Sequence, residues 1–174
     1  MIPEIEITCG EEIFFINSIT VEQYKRYAKL MEKNGSDRIL DVMFFNKKIV
    51  QAVFGNRLTL EKLGKMDAME FMEAVKGIHF IMQDIISEKL LNIVEVEVVE
   101  REESAFDEYD MENEYEDDVE PEENPWRSYG EILDRVVKIA IRVLKNSYSQ
   151  CMKADILSLL EYLKFELDTL DENQ

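Results

Sequence analysis

The chain has 174 residues, 46% of them hydrophobic, and a formal net charge of −18. An apolar fraction of that size is ordinary for a globular protein with a core, so the chain is not disordered as a whole. The charge is repelled by phosphate backbones and anionic lipids, which disfavours nucleic acid and membrane as ligands and leaves proteins, basic ones among them, as the expected partners.

No run of about 18 apolar residues is present to span a bilayer, and Met1-Ile2-Pro3-Glu4-Ile5-Glu6 lacks the basic and apolar regions of a signal peptide. The expected location is the cytoplasm. Cys9 and Cys151 stand far apart in the chain, in neither a disulfide framework nor a metal-site spacing, and both are expected to be reduced and chemically idle.

The first predicted element is a small hairpin, with Ile5 and Ile7 on one side of Cys9-Gly10-Glu11-Glu12 and Ile13, Phe14 and Phe15 on the other. Thr20-Val21-Glu22-Gln23 has capping-box spacing and opens a helix that should stop near Asn34-Gly35. Ser36 and Asp37 offer the next cap, and Ile39, Val42, Met43, Val50, Val53 and Phe54 recur at helical spacing up to Gly55. Thr59 can cap a short helical turn through Leu63. Asp67-Ala68-Met69-Glu70 again has capping-box spacing and starts the longest periodic run. There Phe71, Val75, Ile78, Met82 and Ile85 form one seam of a helix ending near Leu90. Ile93 to Val99 alternates like a strand, with a frayed helix as the other reading.

From Glu100 to Glu123 fourteen carboxylates meet a single base, Arg101. A run so charged cannot bury enough apolar surface to offset its ordering entropy, so residues 100–125 read as an acidic flexible linker. Beyond it, Ser128-Tyr129-Gly130-Glu131 has cap spacing, and Leu133, Val136, Val137, Ala140 and Leu144 mark one apolar helix. Ile156, Leu159, Leu160, Leu163 and Leu167 mark a second, over Asp155 to Leu167. The expected fold class is mainly α: a helical domain with an amino-terminal β-hairpin over 1–99, the linker, and a small helical hairpin over 126–174. So small a hairpin must pack back on the first domain, self-associate, or keep apolar surface for a partner.

Catalytic patterns do not emerge. His79 is the sole histidine and lies beside the apolar seam, where a satisfied or half-exposed helix residue is the ordinary reading. No second His or Cys is spaced to make zinc with it. The six glycines are scattered singly, so no phosphate loop or nucleophile elbow forms. The Asp107-to-Glu116 spacing lacks the ligand order and central Gly of an EF-hand. No enzyme, cofactor or metal is expected. Seven of the nine methionines, Met31, Met43, Met66, Met69, Met72, Met82 and Met152, fall in or beside helices. They read as core filler or as an adaptable surface for apolar helices.

Tyr24-Lys25-Arg26-Tyr27 through Val53-Phe54-Gly55-Asn56-Arg57-Leu58-Thr59-Leu60 resembles the amino-terminal domain of siphophage tail assembly chaperones. Ser147-Tyr148-Ser149-Gln150-Cys151-Met152-Lys153-Ala154-Asp155-Ile156, followed by Leu159-Leu160, resembles the extension added to those chaperones by programmed frameshifting. An acidic linker between two such parts fits the long form. The resemblance implies that the first domain binds the tape measure protein, a long helical rod, and that the extension recruits tail tube subunits. Its site residues would be Tyr24, Tyr27, Phe54 and Leu58 for the first task and Tyr148, Met152, Ile156 and Leu160 for the second. The location would be the cytoplasm of the bacterial host cell, and the finished virion would lack the protein. One departure is Asn146-Ser147 where the family often carries Gly before the Tyr-Ser pair; Asn tolerates the left-handed conformation such a turn needs. The alternative reading is an acidic inhibitor or adaptor that binds a basic nucleic-acid-binding protein.

Overall fold

The computed structural model describes residues 2–33, 39–93 and 125–171. The chain is mainly helical with an amino-terminal β-hairpin, as its patterning predicts. Strands β1 (Ile5–Cys9) and β2 (Glu12–Ile16) pair antiparallel, Ile5 against Ile16 and Cys9 against Glu12. Gly10 closes the turn at φ +66, a conformation costly for any residue with a Cβ. One face of the hairpin carries Ile5 and Ile7, both buried, and packs toward the core.

Helix α1 (Val21–Glu32) starts at the predicted capping box: Thr20 Oγ1 accepts from Gln23 N, and Gln23 Oε1 accepts from Thr20 N. Helix α2 (Ile39–Phe54) ends where Gly55 takes φ +70, and a 3₁₀ turn, Gly55–Arg57, follows. Thr59 caps the single turn of α3 (Leu60–Leu63). Asp67 caps α4 (Ala68–Phe80) by accepting from Met69 N and Glu70 N. The expected back-bond of that capping box is replaced, because Glu70 reaches across to accept from Thr8 N at 2.7 Å.

The long helix does not end at Phe80. It continues as a π-helical segment, Ile81–Ser87, and then as α-helix over 88–93. The wider π turns shift the buried stripe, so Ile86 is 0% exposed while Ile85, placed on the seam by strict α spacing, is only half-buried. Residue 93 is helical; the expected strand over 94–99 lies outside the described residues. So do the acidic run, the stop at Asn34-Gly35 and the cap at Ser36 and Asp37.

Among the described residues three helices follow the acidic run, the two long ones of the expected hairpin and a short one between them. Helix α5 (Pro125–Leu144) begins three residues before the predicted Ser128 cap, with Pro at its first position, where a missing N–H costs nothing. Helix α6 (Tyr148–Lys153) is restarted by a capping box, Ser147 with Gln150, which the sequence reading takes as a plain turn. Lys145, not Asn146, adopts the left-handed conformation at φ 57. Asp155 then caps α7 (Ile156–Asp171) by accepting from Ser158 N at 2.9 Å.

The carboxy-terminal helices pack back on the rest. Val21 N donates to Ala154 O at 3.1 Å and Ile156 N to Ile19 O at 2.8 Å, a two-bond bridge between the halves. Leu133, Val136, Val137, Ala140, Ile156, Leu160 and Leu163 belong to the same buried cluster as Ile7, Tyr24, Ile49, Ile78 and Leu90. The regions that the sequence separates as 1–99 and 126–174 thus share one core. Each half carries an apolar helix face, and burying one against the other explains the union.

Candidate protein-binding surfaces

The structure separates the eight predicted site residues sharply. Tyr24, Tyr27, Leu58 and Ile156 are 0% exposed, Leu160 is 2% and Phe54 8%. As folded, Tyr24, Tyr27, Leu58, Ile156 and Leu160 fill the core and offer no surface to a partner, a correction to their placement as contacts, and Phe54 keeps only an edge in the groove beside the hairpin. Their apolar bulk, read as binding surface, is consumed by the packing of α1 and α2 against the long helix and the carboxy-terminal helices. Tyr148, at 53% exposed, and Met152, half-buried, remain reachable.

The two buried tyrosines instead join α1 to the long helix. Ser87 Oγ donates to Met82 O at 2.8 Å, which spends its only proton, so Tyr24 OH donates to Ser87 Oγ at 3.0 Å. Burial pushes the Tyr24 pKa up to about 12, keeping that proton in place. Tyr27 OH lies 2.6 Å from His79 Nδ1, the rings meeting edge-on with centroids 5.7 Å apart. Burial raises the Tyr27 pKa and lowers that of His79, so a protonated phenol meets a neutral imidazole. Burial also pushes both Cys9 and Cys151 thiols up, away from the thiolate that would react.

Lys25 is the polar link at the α1, α5 and α6 junction. It donates to Asp134 on α5, which raises its pKa, and the Tyr148 hydroxyl on α6 adds to the effect. Lys89 pairs with Glu161 at 2.7 Å, a second tie between the halves. Both pairs are partly exposed and contribute about 0–1 kcal/mol each.

Exposed apolar side chains mark the surfaces open to partners. Met69, Met72 and Phe80 (72%, 42% and 51% exposed) lie with Lys76 on the face of α4 opposite its buried Phe71, Val75 and Ile78. Tyr162 and Phe165 stand on the outer face of α7, and Tyr148 on α6. Ile13 and Phe15 project from the outer face of the hairpin, beside a groove of about 300 Å³. Sequence reasoning passed over Ile13 and Phe15, although the run Ile13-Phe14-Phe15-Ile16 carried a signal: a strand covered on one face must expose two of the four.

No group of His, Cys, Asp or Glu suited to a metal ion occurs among the described residues. No helix among them is long and apolar enough to cross a membrane. Comparison with protein-family models, characterised proteins and solved structures finds no match for this chain.

Proposed function

We propose that the protein is a tail assembly chaperone of the siphophage type, which holds the tape measure protein and recruits tail tube subunits in the host cytoplasm and is released as the tube closes. The reading rests on the resemblance in Tyr24 to Leu60 and Ser147 to Leu160. The observation that best supports it is that exposed apolar side chains stand on both sides of the acidic run. Met69, Met72 and Phe80 on α4 precede it, and Tyr148 on α6 with Tyr162 and Phe165 on α7 follow it.

The physical logic follows from those surfaces. A tape measure exposes apolar helix seams before assembly, and unbranched thioethers adapt to seams of varied shape. A bound cover lowers the free concentration of aggregation-prone surface. The acidic residues keep the loaded complex soluble and self-repelling. Tyr148 offers an apolar ring face with a hydroxyl at its edge, the kind of group that anchors interfaces. No step of this task is a chemical reaction.

A pair of pull-downs tests the proposal, one with the tape measure protein of the same tail gene cluster and one with its tube subunit. Phe80→Lys should lose the first partner and keep the second, and Tyr148→Ala should do the reverse, both variants staying folded because the side chains are exposed. Failure of the unaltered chain to retain either partner, or retention of a basic nucleic-acid-binding protein in their place, would sink the reading.

A further inference from the structure

The hairpin has one closed edge and one open edge. Thr8 N–H donates to Glu70 Oε1 and therefore points away from β2, so α4 closes the β1 side. Thr8 faces Ile13 in the register, which makes that pair one of the non-hydrogen-bonded pairs of the antiparallel ladder. The alternation repeats two residues on, at Glu6 and Phe15. The backbone N–H and C=O groups of Ile13 and Phe15 thus point outward from β2, with no partner among the described residues.

Sheet edges in monomeric proteins are usually blunted by proline, lysine or a bulge, and β2 has none of these. Its side chains invite pairing as well, since Ile13 and Phe15 are 61% and 64% exposed on one face. Beyond the edge lies the groove of about 300 Å³, whose far wall is Gln23, Val53, Phe54 and Arg57. Gln23 is held there by donating to Val53 O at 2.6 Å. Arg57 is exposed and has no carboxylate partner among the described residues.

We propose that this edge takes an extended segment of another protein as a third strand, with apolar side chains two residues apart over Ile13 and Phe15 and a carboxylate facing Arg57. Main-chain bonds to Ile13 and Phe15 supply the affinity, and the side-chain spacing and Arg57 supply the selectivity. A second copy of this chain suits the edge less, because each copy carries −18 and brings Glu11 in the turn and Glu12 at the start of β2 to the same edge. The inference is independent of the tail-chaperone reading.

The test titrates isotopically labelled full chain with a capped synthetic peptide of alternating valine and threonine bearing one glutamate, and with its lysine counterpart. At millimolar peptide, shifts confined to 12–18, Gln23 and Arg57, with slowed amide exchange at Ile13 and Phe15, are expected for the glutamate peptide. Arg57→Glu should move the preference to the lysine peptide, a change of roughly fivefold in each affinity. Phe15→Pro removes an outward N–H that the hairpin ladder does not use and should abolish binding, whereas Phe15→Ala keeps that N–H and should only weaken it. Absence of shifts with either peptide overturns the proposal, as do shifts elsewhere or an unchanged preference in Arg57→Glu. Protection of Ile13 and Phe15 that appears without peptide and grows with protein concentration also overturns it, in favour of a second copy.

Discussion

Ser87 is buried, and both sides of its hydroxyl are used. Ser87→Ala leaves the Tyr24 hydroxyl without an acceptor in the core, so it should cost about 1–3 kcal/mol in urea denaturation. Tyr24→Phe should cost less, about 1 kcal/mol, because Ser87 keeps its bond to Met82. The double variant should cost less than the sum, as a shared bond is lost only once. Equal single costs that add would mean that the two hydroxyls do not interact. His79 makes a second prediction at this scale. Burial holds its folded pKa below the ordinary value of about 6.5, so the unfolded chain takes up the proton first as pH falls. The contribution is complete above about pH 6.5 and is lost as pH drops through the folded value. Urea midpoints should therefore decline on going from about pH 7 to about pH 5, and His79→Gln should flatten part of that decline. An identical slope in the variant would remove His79 as its source.

The long helix carries the test at the scale of elements. Strict α spacing from Phe71 puts Ile85 on the seam, whereas the π segment rotates Ile86 into the core in its place. Ile86→Asp should bury an unpaired carboxylate and unfold the chain, a loss above about 3 kcal/mol, while Ile85→Asp should cost roughly 1. Ile78→Asp and Lys76→Asp should differ in the same sense, since α spacing still holds there. Capping residues made the element starts legible: Thr20, Thr59 and Asp67 each bind the amides that their spacing assigns to them. What sequence could not express was choice among competing partners. Glu70 leaves its cap for Thr8 N, Ser147 starts a helix in what reads as a turn, and the π segment ends on Ser87, which bonds Tyr24 across the core. The candidate surface suffered more than the fold, because large apolar residues look alike in sequence whether core or contact. Tyr24 is sealed and Tyr148 is open; both are tyrosines on amphipathic helices.

At the scale of the whole molecule, a strongly acidic stretch reads as a border between domains, and local sequence holds no information on what lies across it. Leu133, Val136 and Ala140 of α5 are buried in a cluster that includes Val21, Tyr24 and Ala28 of α1. Each fully buried aliphatic side chain is worth about 1.5–3 kcal/mol, far more than the Lys25–Asp134 and Lys89–Glu161 pairs beside it can supply. The halves should therefore stay together when the covalent link between them is cut. A specific protease site inserted within 100–123 makes the cut, and size-exclusion chromatography reads the outcome. The two pieces should co-elute at the size of the intact chain, in high salt as in low, because the contact is apolar and salt screens only its ion pairs. Leu133→Asp places a carboxylate where only 1% of the side chain is exposed and should release the pieces from one another. Asp134→Ala, one residue along and on the exposed side of the same helix, should leave them joined. Separation of the unaltered cut chain at low salt would mean that the shared core is too weak to hold the halves, and the two candidate surfaces would then move independently.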